Sequence, residues 1–568
     1  MKNNIRYILS FALIIFIFQA CDQNDLDLRI SPNGLGADEA DAVLLLNAIQ
    51  LAYADNQRAI SDIGGQLTRI DYFFGRDYFN NLPGSVMDAI WRKTYSSGVT
   101  LIGRQSDVGI LPNLQRIEDI DANTPADLPF LIAVGKTLYA HSLFQLVDYI
   151  GTAAFSEAGQ IETFPSPNLD DGESVYNEAF KLLDEAEELF DLAKIQFEGD
   201  DQIAAGINDI FYGTDVNSWL KLVNTIRLRS YVLTNNKSAF DAIIAEGEYI
   251  SSASDDLQLQ YGTSELQPDN RHPDYAIDYK NDGAEIYQSN WLMSLMLEND
   301  DPRRRYYFYR QVPGTPGALD VNGVEVPPNE EELACSLVIP PAHYDGFVFC
   351  GADSGYWGRS HGNDEGTPPD GFRRTASGVY PVAGRFDDDS FGSVGLGRGG
   401  AGAGIEPIIL SSYVDFWIGI MADSDAAKAA ALRSGLEKSI AKVQSFGALD
   451  AGADLSVAPS ADDVAAYIDG IEAAYLAASG DDKENIFAEQ YFTTLYGGNT
   501  EAYNYYRLTG YPTTVLPNWE PNPGPFPRTL LLPQVEAVNN PNVSQRTDLT
   551  TQVFWDTNPP SPAFPPAN

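Results

Sequence analysis

Residues 173–188 read ESVYNEAFKLLDEAEE. Val175, Ala179, Leu182, Leu183 and Ala186, continued by Leu189, recur at three- and four-residue steps, and acidic residues fill the positions between them. Side chains three and four apart share one helix face, so this period predicts an amphipathic helix with a single stripe turned to a core. The same texture recurs along the chain. Val43, Leu46, Ile49, Ala52 and Tyr53 predict a helix from Asp38 to about Arg58, and 126–149, 174–197 and 219–234 repeat the pattern. Further on, 408–422, 426–446 and 481–495 read as helices. The helices come in pairs separated by short polar breaks, which points to stacked hairpins of the tetratricopeptide type, although no clean consensus repeat is visible. The expected fold is mainly α: tetratricopeptide-like hairpins over about 38–251 and 405–512, supporting a long irregular region.

That irregular region runs from about Ser252 to Gly404, where Gly, Pro, Asp and aromatic residues replace the helical period. Long segments of this kind in a compact protein are functional or disordered, and the density of rings argues for order. The tail, 513–568, is rich in proline and is expected to run extended over the helices.

The beginning of the chain carries a different signal. Lys2 and Arg6 precede an apolar run from about Tyr7 to Phe18, too short to span a bilayer but of the size of a secretory signal core. It ends Phe18-Gln19-Ala20-Cys21, which looks like a bacterial lipoprotein signal: 1–20 removed and Cys21 lipidated as the first mature residue. The acidic stretch after it resembles the export signals of surface-displayed lipoproteins. No later stretch approaches 18 uninterrupted apolar residues, so attachment to a membrane is expected through lipid alone.

With 36 basic and 80 acidic residues the formal charge is −44. A field of that sign repels nucleic acid and anionic headgroups, which excludes a nucleic-acid-binding role. Cys335 and Cys350 remain in an oxidising compartment, either bridged, which would add about 3 kcal/mol, or as two buried thiols.

Catalytic motifs are missing. Gly395-Leu396-Gly397-Arg398-Gly399-Gly400 has the dinucleotide spacing but follows Asp387-Asp388-Asp389-Ser390 where a hydrophobic strand should be, so it reads as a loop. The four histidines show no metal-ligand spacing, and there is no Gly-x-Ser-x-Gly elbow. Asp387, Asp388 and Asp389 are candidates for a structural calcium ion, against the alternative of a solvated acidic loop; no other cofactor is expected. Aromatic clusters say more. Sugars and peptides bind by stacking on exposed rings while polar groups satisfy hydroxyls and amides. Tyr72, Phe74, Arg76 and Tyr78 form one such mixture, and Tyr356, Trp357, Arg359 and His361 a second, in which the glycines around Trp357 should leave its ring poorly covered. Core packing is the alternative for each ring.

Several separated stretches together resemble the SusD/RagB family of surface nutrient-binding lipoproteins. Trp219-Leu220-Lys221 with Asn224, Arg227 and Arg229 is similar to that family's Trp-x-Lys, Asn, Arg-x-Arg helix. Phe144-Gln145-Leu146 with Tyr149 and Gly151 resembles its helix ending in a Tyr-Gly step. Ser412-Tyr413-Val414-Asp415-Phe416 stands where a Tyr-Ala-Glu-x-x-Phe helix is common, with Asp415 in place of Glu. Glu501-Ala502, Arg507 and Thr509-Gly510-Tyr511-Pro512 match its most specific signature, followed by Arg528, Pro533-Gln534, Glu536 and Asn539-Asn540-Pro541-Asn542. These motifs mark the scaffold, so no ligand residue carries over from them. The resemblance implies one SusD-like domain over 21–568, held at the outer membrane by its lipid and facing the cell exterior. It further implies a SusC-like TonB-dependent barrel as partner and non-catalytic capture of an oligosaccharide or peptide. The competing classes are a surface glycoside hydrolase and a structural adhesin.

Overall fold

In the computed structural model, residues 41–98, 100–101, 104–105, 108–314, 339–365 and 370–565 are described. The expected signal segment, Cys21 and Cys335 lie outside them; Cys350 is disulfide-bonded.

Thirteen helices of eight residues or more can be traced among the described residues. They are α1 (Ala42–Thr68), α2 (Asp88–Tyr95), α3 (Ile110–Asn123), α4 (Pro129–Ile150), α5 (Gly172–Gly199), α6 (Val216–Leu233), α7 (Lys237–Glu246), α8 (Asn290–Glu298), α9 (Ser411–Ile420), α10 (Asp425–Ser445), α11 (Ala461–Ala477), α12 (Asp481–Thr494) and α13 (Thr500–Thr509). Consecutive helices pack on one another: α4 on α5, α5 on α6, α6 on α7, α9 on α10, α10 on α11 and α11 on α12. α1 joins the two ends of the chain, packing against α3, α4 and α13.

The stripe read from 173–188 is the buried face of α5: Val175, Tyr176, Ala179, Leu183, Ala186, Phe190 and Ala193. Asp171 caps its start by accepting from the Ser174 N–H, and Gly151, at φ 73°, ends α4 in the left-handed conformation that glycine adopts without strain. α4 is long and apolar enough to cross a membrane, yet it is the core helix of this bundle, covered almost all round.

Short strands order the irregular region: β1 (Leu257–Gln260), β2 (Gln288–Ser289), β3 (Gly351–Ala352), β4 (Tyr356–Arg359) and β5 (Ile405–Ile409). β5 runs antiparallel to β1, with Ile405 opposite Gln260. β4 lies between β2, to which it is parallel (Gln288 opposite Gly358), and β3, to which it is antiparallel (Ala352 opposite Tyr356).

Three expectations need correction. The helix predicted over 408–422 begins only at Ser411, because Ile405-Glu-Pro-Ile-Ile409 is fully buried and paired as β5; a short buried apolar run has no period that separates helix from strand. The helix expected to end near Arg58 continues to Thr68 through Gly64 and Gly65. Those glycines permit close approach: a Cβ on Gly64 would lie 2.6 Å from the Asn499 carbonyl oxygen, and one on Gly65 2.0 Å from an Asp71 carboxylate oxygen. The proline-rich tail is mostly extended but contains a helical turn, Gln534–Asn539, in an interval between Pro533 and Pro541. It is stitched to the bundle by Leu530 N–H donating to Tyr149 O (2.8 Å) and Trp519 N–H to His361 O (2.8 Å).

Candidate functional site

The C-terminal half of α1, the strand-like link after it, β5 and the turn between α12 and α13 converge on one cleft of about 570 Å³. α1 supplies Arg58, Ser61, Asp62 and Gln66, one face of a helix at steps of three and four. Asp71, Tyr72 and Phe74 follow it, held in place by a bridge between Asp71 and Gln288 of β2. The loop before β2 adds His272, Asp274 and Tyr287, β5 adds Glu406, and the turn before α13 adds Asn499.

The floor is acidic. Arg58 contacts Asp274 and stands 3.8 Å from Asp62, one helical turn along. Asp71 accepts from Asn499 Nδ2 at 2.7 Å, and Glu406 from the Tyr261 hydroxyl at 3.4 Å. Enclosure by protein disfavours the ionised forms. It pushes the Asp62 carboxyl up to about 7 despite Arg58, with Asp274 adding repulsion. Asp71 and Glu406 are also raised well above the ordinary range, chiefly by burial. Burial lowers His272 to about 4, so it is neutral at pH 7; its Nδ1 accepts from the Asp274 N–H at 3.1 Å.

The rim is aromatic. Phe74 is 59 % exposed, and Tyr72 and Tyr287 are half-buried. Tyr72 meets Phe74 edge-on at 6.5 Å between ring centres and Tyr287 at 5.7 Å. Tyr287 is clamped by guanidinium groups, Arg359 at 4.4 Å and Arg374 at 3.8 Å from its ring centre, and its hydroxyl donates to Asp370 at 2.8 Å.

Of the first aromatic cluster, Tyr72 and Phe74 line this cleft. Arg76 is exposed beside it and pairs with Asp364 at 2.8 Å. Tyr78 is buried, its hydroxyl 3.1 Å from His361 Nε2. The second cluster is not the exposed platform expected. Tyr356, Trp357, Arg359 and His361 are all buried. The reason is β4: its one glycine serves strand pairing, since a Cβ on Gly358 would lie 2.2 Å from Gln288 O, and both edges of the strand are occupied. Trp357 is 3 % exposed and clusters with Cys350, while His361 stacks on Phe73 at 5.0 Å. Of these, Arg359 backs the cleft wall, its guanidinium lying on the Tyr287 ring.

The calcium candidates are likewise committed elsewhere. Asp387 is buried and accepts from Arg310 Nε at 2.6 Å; Asp389 contacts Arg310 and lies 2.9 Å from Arg305; Asp388 accepts from the Ser390 and Asp454 N–H groups. Among the described residues no cluster of three His, Cys, Asp or Glu side chains is placed to hold a metal ion. Arg58, Asp62, Asp274, Tyr287, Glu406 and Asn499 are functional candidates that motif reading missed, while Asp71 opens the first aromatic cluster. Only the Arg58–Asp62 spacing carried a local signal, a helical i,i+4 pair.

The signature residues are bound into the scaffold. Trp219 Nε1 donates to Asp209 at 2.8 Å, Lys221 pairs with Asp255 at 2.8 Å, and Arg229 Nε donates to Glu501 at 2.7 Å, tying α6 to α13. Arg507 donates to the Arg528 carbonyl at 2.6 Å.

Residues 91–324 match the SusD-like family described as starch-binding and associating with outer membrane. Over that stretch the chain is similar to the SusD-like family. Solved structures carry this SusD-like fold over nearly the whole length. A chitin-binding protein superposes with a TM-score of 0.61 at 19 % identity, covering 91 % of this chain and 100 % of its own. A SusD/RagB family protein from Bacteroides thetaiotaomicron gives 0.59 at 15 %, covering 92 % and 100 %, and a chitin-binding SusD homologue from Flavobacterium johnsoniae gives 0.55 at 15 %, covering 91 % and 99 %. Comparison with curated proteins gives no match.

Proposed function

We propose that this protein binds an oligosaccharide in the cleft between α1 and β5, at the outer membrane, and delivers it to a SusC-like TonB-dependent barrel. The observation that carries the reading is the pairing of an exposed ring, Phe74, with a wall of hydrogen-bonding side chains. A sugar presents apolar faces to rings and hydroxyls to polar groups, and the cleft offers both within one sugar-sized volume. Two of the similar solved proteins are named as chitin-binding, which fits a glycan ligand. Anchoring is assigned to lipid on Cys21, so Cys21→Ala should free the protein from membranes when the barrel is deleted.

Calorimetric titration against a panel of starch, chitin and cellulose oligosaccharides tests the binding reading. Phe74→Ala should weaken the best ligand about tenfold, the value of one stacked ring, with an unchanged melting temperature. Equal affinity in the variant would remove the cleft from consideration. One observation favours hydrolysis instead: carboxyls that hold protons near neutrality in a cleft have the protonation a glycosidase acid requires. Release of reducing ends from the bound sugar, lost in Asp62→Asn, would establish that reading.

A further inference from the structure

Resting on the reading of this cleft as a glycan site, its charge narrows the class of glycan. Five carboxyl groups, Asp62, Asp71, Asp274, Glu285 and Glu406, line it, and Arg58 is the one Lys or Arg side chain among the described lining residues. Arg58 is already in contact with Asp274. Asp71 and Glu406 have neutral donors, Asn499 and Tyr261, and Asp62 keeps 48 % of its side chain open to the cleft. Like charges crowded in a low-dielectric concavity either take up protons or attract a cation.

Two further features select the kind of cation. The Asn499 side-chain oxygen, in a cleft-lining residue that is 2 % exposed, has no hydrogen-bond partner among the described residues, so the lining includes a spare acceptor. The rim presents Phe74 and Tyr72, whose faces attract organic cations as well as sugar rings. The cleft volume of about 570 Å³ exceeds that needed by a bare metal ion and falls in the range of small-molecule sites.

We propose that the cleft selects an oligosaccharide bearing free amino groups, a deacetylated amino sugar whose ammonium groups sit among the carboxylates while a ring stacks on Phe74. Ammonium is a three-donor cation, the complement of the lining carboxylates and the spare Asn499 oxygen. The overall charge of −44 draws such a ligand to the protein.

The test compares three β-1,4-linked hexasaccharides by calorimetry at pH 6, where the sugar amines are charged and an arriving ammonium displaces the proton that Asp62 holds in the empty cleft: the glucosamine hexamer, the N-acetylglucosamine hexamer and cellohexaose. The glucosamine hexamer should bind about tenfold more tightly than either neutral sugar, a margin set by charge-assisted hydrogen bonds, and weaken as salt is raised. Asp62→Asn and Asp274→Asn should each weaken it about three- to tenfold, by loss of one such bond, and leave cellohexaose unaffected. Asp191→Asn, on the exposed face of α5, removes the same charge elsewhere and should change nothing. Equal or tighter binding of a neutral hexamer overturns the cationic selection and leaves the glycan site standing. An equal loss in Asp191→Asn overturns it too, by reducing the effect to surface attraction. Binding of a lysine hexapeptide with none of the three sugars overturns both this proposal and the glycan reading. Asp62→Asn is the decisive variant, since its half-open side chain can be neutralised without emptying the core.

Discussion

Trp357 shows how far a residue's local surroundings can mislead. Its flanking glycines suggested a loop that leaves a ring uncovered, but Gly358 lets β2 approach β4 and Gly355 lets the Val312 carbonyl approach, and the ring lies inside with its Nε1 donating to the Gly314 carbonyl at 3.3 Å. Trp357→Ala should therefore cost about 3–5 kcal/mol of stability, as for a buried large-to-small change, and leave glycan affinity of the folded fraction unaltered. Chemical denaturation with a parallel titration checks both halves; lost affinity at unchanged stability would return Trp357 to the surface. Phe74, four residues before Tyr78, went the other way and is exposed. Composition marked the aromatic segment as a candidate, and could not say which of its rings face inward, because alternation in an irregular link has no fixed period.

At the level of elements, periodicity served well where one face meets the core and less well elsewhere. α5 and α10 are amphipathic, and their bounds differ from those predicted by one or two residues. α2, α3, α7, α8, α11 and α13 went unread. α11 buries only Ile468 and Tyr475, too sparse a stripe to register, and α13 is buried nearly all round, so no polar face marks it. The signature motifs gain a physical meaning here. Arg528 is fully buried, pairs with Asp556 and donates to the Pro559 carbonyl at 2.6 Å, fastening the extended tail to itself above α13. Arg528→Leu would strand the Asp556 carboxylate in the interior. It should destabilise the fold by about 3–5 kcal/mol, the cost of breaking a buried pair from one side. Adding Asp556→Leu should recover much of that loss, and equilibrium unfolding of the single and double variants measures it. No recovery would mean that Arg528 acts through its carbonyl contacts alone.

Over the whole molecule, the cleft collects residues from Arg58 to Asn499, which explains why no motif disclosed it: its parts are adjacent only after α1 has joined the two ends of the chain. The gathering has a thermodynamic consequence at Asp62. Arg58, Asp71, Asp274 and Glu406 share the cleft with it, and burial outweighs the attraction of Arg58, leaving its carboxyl at about 7 against 3.8 in an unstructured chain. Between those values the folded state holds a proton that the unfolded chain releases. Stability from this group is therefore intact below about pH 4 and falls as pH rises toward 7, the reverse of a salt-bridged aspartate. Asp62→Asn carries no such proton, and it also relieves the repulsion on Glu406. The variant's melting temperature should match the parent's near pH 4 and exceed it increasingly up to pH 8. Scanning calorimetry of the pair across that range decides the matter: a variant less stable than the parent at pH 8 would mean that the Arg58 attraction dominates and that the carboxyl is ionised in the fold.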